Sequence, residues 1–583
     1  MRHLSLLLAP SLLASAATAQ WTSSAAANTL AVARAGEQAQ PKLVPATDGG
    51  FYLSWFDNDP NGTPAFGYDV YLQRFDSAGV AQWATDGILV ADLGLSSTTD
   101  YDLALDTAGH ALLVFQDDRP GGLQITLARV DPSGTLAWSQ TLTSTLDFVA
   151  NPKVVGTSDG AIVAAWLQGS SVRVQRFNLA GVAQWTPELV LTPLTGSYAP
   201  GDLDAAESGR VILSLVHQTG GFSSPRHLKA QKLETSGASL WGAAPLAVFD
   251  GGSLQFGNFP EFEPDGAGGA VFAWYSSSPT LECFAQRVNA AGSELFPHNG
   301  VAVSTLAGRV RVDPHVSFDP LTQATHVAWV EANSTQSQWG VGAQKLDATG
   351  ARQWGASGKT LVALGTPATA NVTTLGFGAN LCVTWTSAPF FSSTTAHATV
   401  LDAAGATLVA PFAVSSSAAV KYDFVPAVSS FGFGALAWRD ERGSDPHLYL
   451  QNVRPSGALG GLATTASRNG NGTNVVCYTS LAPARLGHTW SAQVSHAHHP
   501  GATHTTVFAR ANALNGPTFA FGQLLIAGPL LFSQTLPATG SANVHTLPVP
   551  PNLAYLGLTA ATQALIAGGG NELTNALDVT AGL

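Results

Sequence analysis

The stretch "YDVYLQRFDSAGVAQW", residues 68–83, decides the fold, because the chain repeats it. Close copies are "VRVQRFNLAGVAQW" (172–185), "KAQKLETSGASLW" (229–241), "FAQRVNAAGSELF" (284–296) and "GAQKLDATGARQW" (342–354). Weaker ones are "ITLARVDPSGTLAW" (125–138), "HATVLDAAGATLV" (397–409) and "LYLQNVRPSGAL" (448–459). Their turn glycines are Gly79, Gly134, Gly181, Gly237, Gly292, Gly350, Gly405 and Gly457, on average about 54 residues apart. Upstream of each glycine lies a strand-like run ending in a bulky residue: Trp55, Phe115, Trp166, Leu215, Trp274, Trp329, Trp385 or Trp438. A proline-bearing segment precedes that run, and a short apolar segment follows the repeat tryptophan. Each unit reads as four short strands between Gly/Asp/Pro turns, with no helical period of useful length.

Four strands per unit at this period predict an all-β fold, an eight-bladed β-propeller followed by a small β-sandwich domain. A four-stranded sheet has two apolar faces and buries both only against neighbouring sheets. In the D/N-x-x-G-x-x-x-W phrase the glycine admits a positive φ in the hairpin turn. The tryptophan four residues on is placed to wedge between two blades, a burial worth roughly 2–3 kcal/mol. Trp83, Trp138, Trp185, Trp241 and Trp354 hold this structural position. The eighth unit ends at "RPSGALGG" without a fourth strand, and "QWTSSAAANTLAVA" (20–33) has the form of the missing piece. Trp21 is therefore expected to join the last blade; a ninth, degenerate unit is the alternative.

Residues 34–457 resemble secreted bacterial propellers whose repeats read W-x-D-x-R followed by Y-x-Q-R-[LFV]-[DN]-x-x-G. "WRDERGSDPHLYLQNV" (438–453) is the nearest copy. The phrase is also similar to the tryptophan-docking repeat of eight-bladed quinoproteins and outer-membrane assembly propellers, which have one more residue between Asp and Gly. From about residue 463 the pattern changes to short strands with Gly/Pro/Asn turns. There "RNGNGTN", "FGQLLI" and "LTNALDVTAG" resemble a C-terminal β-sandwich domain of exported proteins from environmental bacteria. That resemblance implies an appended surface or sorting module. The expected domains are a signal peptide over 1–19, the propeller over 20–462 and the sandwich over 463–583.

The signal reading rests on a basic start, an apolar run from Leu4 and the A-x-A site Ala17-Thr18-Ala19. No lipobox cysteine follows, and no later run is long enough to span a bilayer as a helix. The expected location is extracellular, cell-surface or periplasmic. Only 11% of residues are charged and the net charge is −12, which argues against nucleic acid or an anionic membrane as partner. Cys283, Cys382 and Cys477 are odd in number and far apart, so no disulfide framework is expected.

"DNDPNG" (57–62) matches the first half of a calcium loop through Asp57, Asp59 and Asn61, but Ala65 and Tyr68 stand where later ligands belong. The alternative there is a plain hairpin. Matching turns elsewhere pair Asp117 with Arg119 and Asp440 with Arg442. Counting thirteen residues back from the bulky residue of units one to five reaches Lys42, Asp102, Lys153, Asp202 and Glu261, on the strands expected to line a central channel. They form either ion pairs between neighbouring blades or a polar, ligand-orienting mouth. Glu263 and Asp265 alternate with Glu261, and a close acid pair can share a proton or bind a cation. His496, His498, His499 and His504 cluster in one segment, read as an exposed turn rather than a metal tract. No hydrolase elbow, zincin, P-loop or sialidase box occurs, nor the vicinal cysteine pair of quinoprotein dehydrogenases. The function expected is a secreted or cell-surface binding or scaffold protein without catalysis, contacting a glycan or envelope protein and requiring no cofactor beyond possible Ca²⁺. The alternative is an extracellular propeller enzyme, polysaccharide-active or quinoprotein-like, with its site in the channel.

Overall fold

Runs such as "FYLSWFD" are apolar on both sides of the strand, which suits a strand covered on both faces. In the computed structural model, which describes residues 20–60, 67–119, 121–143, 147–388 and 393–583, Phe51–Asn58 is buried from Phe51 through Asp57. It lies between Glu37–Pro45 and Asp69–Phe75, with Ile88–Ala91 outermost, in an antiparallel sheet whose strands follow chain order. The same plan recurs over 102–141, 149–191, 197–249, 253–302, 309–365 and 368–419, giving sheets of four or five strands. A further sheet contains Lys421–Val428, Gly434–Asp440 and His447–Val453 and takes its outer strand, Thr29–Val32, from the other end of the chain. Thr29 sits opposite Leu450 and Leu30 opposite Tyr449. The innermost strand of each sheet packs on that of the next, and Glu37–Pro45 packs on Lys421–Val428. The architecture is all-β and propeller-like, with no α-helix among the described residues. The proposed signal segment, 1–19, lies outside them.

Neighbouring sheets are joined by the repeat tryptophans. The Trp83 indole N–H donates to Pro132 O (3.1 Å), Trp138 to Leu179 O (2.9 Å), and Trp185 to Thr235 O (2.9 Å). Trp241 donates to Ala290 O (3.2 Å) and Trp354 to Ala403 O (3.4 Å). Each acceptor stands two residues before the next unit's turn glycine, and each ring lies over that glycine. Trp21 follows the same rule: its Nε1 donates to Ser77 O (2.8 Å) and its backbone N–H to Ala78 O (3.0 Å). Gly79, at φ +77°, leaves room for the ring, since a Cβ there would stand 2.7 Å from Trp21 Cδ2. Trp21 is only 1% exposed, among Phe51, Trp55, Phe433, Leu448 and Leu450.

Beyond Gly461 two further sheets share one core. Thr464–Arg468, Asn571–Thr580, Thr559–Ala567, His504–Ala513 and Ile526–Pro537 form the larger, and Tyr478–Ala482, Thr489–Ser495 and Ala542–Pro548 the smaller. Tyr478, Trp490 and Val494 of one pack with Val507, Ile566 and Leu577 of the other. This region rests on turns of the first and last repeat sheets: Arg485 pairs with Asp76 at 2.6 Å, and Leu486 and Leu583 enter the cluster around Trp21. The histidine segment is less exposed than its sequence suggests. His496 is buried where its backbone N–H reaches Ser541 O, and His498 Nε2 bonds Glu572 at 2.7 Å. All three cysteines are free, and Cys283 and Cys382 are buried.

Candidate functional site in the central channel

Inner strands that converge on an axis must bend, and a bulge does this by placing two residues opposite one. Register shifts of this kind fall between Ala39 and Lys42, Ala150 and Lys153, Pro200 and Leu203, Val312 and His315, Ala370 and Thr373, and Tyr422 and Val425. Asn and Asp tolerate the left-handed backbone this requires; Asn151 (φ 48°), Asp313 (49°), Asn371 (49°) and Asp423 (54°) take it. The bulges turn polar side chains onto the axis. The fifth sheet departs from the plan. Its inner strand is split into Ser253–Leu254 and Phe262–Pro264, and residues 255–261 swing out between them.

A cavity of about 830 Å³ opens there, within the range of small-ligand sites. Asp102, Asp202, Asp204, Glu261, Glu263, Asp313 and His315 line it, with Phe256, Phe259, Tyr275 and Phe424. The structure thus brings Asp102, Asp202, Glu261 and Glu263 together, and Lys153 beside them, its Nζ 3.2 Å from Asp100 of the preceding sheet. Lys42 lies near Asp102, with its Nζ 5.7 Å from the Tyr101 ring centroid. The two lysines therefore compensate the side of the channel formed by the first three sheets. Asp202 Oδ2 accepts from Phe262 N (3.1 Å) and Asp102 Oδ2 from Val154 N (2.9 Å), so each ties its sheet to the next. Among the described residues the carboxyl groups of Asp204, Glu261, Glu263 and Asp313 have no hydrogen-bond or ion-pair partner, and no group of three or more His, Cys, Asp or Glu is arranged to hold a metal ion.

These carboxyls face a cavity walled by protein, and the loss of bulk solvent around them disfavours their charged form. Glu263 is pushed up to about 7, by this desolvation first and then by Asp202 and Glu261. Asp202 is raised by desolvation and Glu261 against the pull of Lys153, and Asp204 by desolvation, Asp202 and Glu263. Asp102 and Asp313 are raised by desolvation. Lys153, which burial alone would lower, is held above its ordinary value by Asp100, Asp102, Asp202 and Glu261. Desolvation lowers His315, whose Nδ1 accepts from Thr374 N at 3.3 Å, so the neutral ring carries its proton on Nε2. The set places several acids that resist ionisation and one ammonium held in its charged form around a single cavity.

Asp265 does not join this set. It follows the strand end, accepts from Gly269 N (2.7 Å) and pairs with Arg287 (2.9 Å), closing the turn. At the first unit's turn the positive charge facing Asp57 and Asp59 is Arg34, at 3.2 and 2.9 Å; Asn61 lies outside the described residues. Trp55 Nε1 donates to Asp57, as Trp438 Nε1 does to Asp440. Arg119 pairs with Asp117 at 2.6 Å and Arg442 with Asp440 at 2.5 Å. Counting along the chain missed Asp204, Asp313 and His315, although "GDLDA" and "VDPHV" carry alternating or proline-flanked acids on the same strands.

No protein-family model matches the chain, and no curated protein matches it. Among solved structures it is similar to a prolyl endopeptidase studied for inter-domain dynamics in catalysis and specificity, at 11% identity and a TM-score of 0.38, over 70% of this chain and 55% of that one. It is likewise similar to a protein of unknown function from Dyadobacter fermentans (13%, TM-score 0.35, 64% of this chain, 98% of that one). A third is α-L-arabinanase of Penicillium chrysogenum complexed with arabinobiose (11%, TM-score 0.31, 53% and 94%). The chain spans about half the length of the prolyl endopeptidase it matches.

Proposed function

We propose that the protein is an exported eight-bladed β-propeller, closed by its N-terminal strand and carrying a C-terminal β-sandwich, that acts on a polysaccharide at the mouth of its central channel. The signal-like residues 1–19 support export, and no helix among the described residues is long and apolar enough to cross a membrane. The unbroken order of sheet contacts and the docking of Trp21 by the rule of the other repeat tryptophans support the closed eightfold ring. The observation that carries the functional reading is the gathering of Asp202, Asp204, Glu261 and Glu263 around one cavity, with Glu263 titrating near 7. Glycosidic cleavage uses one carboxyl that still holds its proton near neutral pH and a second that is ionised. Glu263 is the proton donor in this reading, and the neighbouring acids supply the base or nucleophile.

Release of reducing ends from a panel of plant, fungal and bacterial polysaccharides tests this, with glycan binding measured in parallel. Turnover by the wild type and a fall of 100-fold or more in Glu263→Gln is the expected result. Binding without turnover would overturn the catalytic reading and return the channel mouth to a binding surface. Absence of both binding and turnover would overturn the glycan assignment itself.

A further inference from the structure

We infer that residues 255–261 form an aromatic arm that selects the ligand at the channel mouth, Phe256 and Phe259 stacking on the apolar face of a sugar ring in a glycan that carries no acid groups. The inference rests on the glycan reading above and adds the class of sugar and the residues that choose it.

The arm replaces the short bulge that six of the other inner strands make, and its phenylalanines have not been used to fill a core. Phe256 is 60% exposed and Phe259 37% exposed, yet both border the acid-lined cavity. Phe222, 77% exposed on the neighbouring sheet's loop, brings its ring within 5.0 Å of Phe256. Single exposed apolar residues are ordinary, whereas two exposed phenylalanines at the rim of a cavity, one of them backed by a third, mark a contact surface. The arm is also held in place. The Arg226 guanidinium lies 4.6 Å from the Phe256 ring centroid and its Nη2 donates to Phe222 O at 2.9 Å. This covers one side of Phe256 while much of the ring stays open.

The site is therefore amphipathic: a flat apolar rim over a floor of hydrogen-bonding carboxyls. A sugar ring has the matching shape, with an apolar C–H face and a polar hydroxyl edge, so stacking on the rim directs hydroxyls toward Glu261 and Glu263. Charge narrows the class further. Six carboxyls line the cavity, and Lys42 and Lys153 are the lysines placed against them, on the side of the first sheets. A uronate or sulfated chain adds negative charge to a cavity whose acids already disfavour one another's ionisation, whereas a neutral or aminated chain does not.

Calorimetric titration of the full chain tests the proposal with neutral hexasaccharides (cellohexaose, xylohexaose and N-acetylglucosamine hexamer), glucosamine hexamer and galacturonate hexamer. At least one neutral or aminated probe binds, and galacturonate binds ten-fold or more weakly. The Phe256→Ala/Phe259→Ala variant raises Kd about tenfold, equivalent to about 1.4 kcal/mol. Its melting temperature stays at the wild-type value because the rings are exposed, and Phe256→Trp restores tight binding. An unchanged Kd in the double variant, or galacturonate binding as tightly as the neutral chains, overturns the inference while leaving the glycan reading standing. If the wild type binds none of the probes, the glycan reading falls and the inference with it.

Discussion

Replacing Trp21 by alanine strikes the contact through which the N-terminal segment docks between the first and last repeat sheets, and its cost follows from what the indole touches. The ring is 1% exposed and meets Phe51 and Phe433 edge-on, with centroids 6.2 and 6.4 Å away. Its N–H satisfies Ser77 O at 2.8 Å. Truncating a buried tryptophan costs about 3–5 kcal/mol, and the abandoned carbonyl places this site near the upper end. Trp83 makes the equivalent contact half-buried, so Trp83→Ala should cost about 2 kcal/mol. Trp21→Phe keeps most of the packing and loses the hydrogen bond, for about 1–2 kcal/mol. Urea unfolding followed by near-ultraviolet circular dichroism measures all three. The expected order is Trp21→Ala, then Trp83→Ala, with Trp21→Phe the same as or milder than the latter. A loss below about 1 kcal/mol for Trp21→Ala would refute the reasoning, because a cavity of that size cannot open harmlessly in a packed core.

Glu263 adds a pH dependence whose sign is fixed by its raised pKa. The native state keeps a proton up to about pH 7 that the unfolded chain releases near pH 4.5. The associated stability is present below that lower value and lost as pH rises to 7. The urea midpoint should therefore fall between pH 5 and 8, and Glu263→Gln should flatten the slope; a variant slope equal to wild type refutes this. Lys153→Met leaves Asp100 and Asp102 facing one another with less compensation and should cost about 2–3 kcal/mol, read by the same titration. Reducing agent should leave the melting temperature within a degree or so of its value, since no disulfide exists to break; a clear drop would show pairing of the thiols. Deleting residues 20–33 uncovers the edge of His447–Val453 and should lower the melting temperature strongly, whereas an unchanged value would show that Thr29–Val32 contributes little.

The repeat was legible because each copy of D/N-x-x-G-x-x-x-W states a contact as well as a turn: the glycine makes room for the tryptophan that the preceding unit supplies. Gly79 and Trp21 are one such pair written at a distance of 58 positions, which is why the start of the chain reads as part of its last unit. The channel was legible only where the count from the bulky residue crosses a bulge of constant size. Lys42, Lys153 and Asp202 satisfy that condition. In unit five the same count lands on Glu261, at the end of an expanded loop, and nothing in the count announces that Phe256 and Phe259 project beside it. In units six to eight it lands on Val316, Val372 and Val425, while Asp313 and His315 stand a little earlier. A bulge shifts which residues face the axis, and a slip of one residue exchanges the two faces of a strand. The turn at Asp57 was legible only in part, for another reason. Spacing shows where carboxylates fall, but Arg34, which lies against them, is far enough away in sequence to leave no mark on the motif.

Packing and chemistry pull in opposite directions along the axis of this fold. Around the rim, local choices agree with the global structure: turn glycines accept rings, and buried aspartates such as Asp440 are met by Arg442 and Trp438. Along the channel they disagree. The carboxyls of Asp204 and Glu263 stand without a side-chain partner, and the repulsion they meet from neighbouring acids is relieved by holding protons or by something that enters. Apolar residues on these strands would be more stable, and units seven and eight place Val372 and Val425 there. A sequence that gathers Asp202, Asp204, Glu261, Glu263 and Asp313 on the inner strands of units four to six, and in unit five abandons its regular inner strand to set phenylalanines beside them, has given up stability at one place and nowhere comparable along the rim. Such local conflict is the expected mark of a functional site. It also fixes the asymmetry to look for: ligand contacts should concentrate on sheets four to six, and neutral substitutions there should stabilise the fold at alkaline pH while weakening what the channel does.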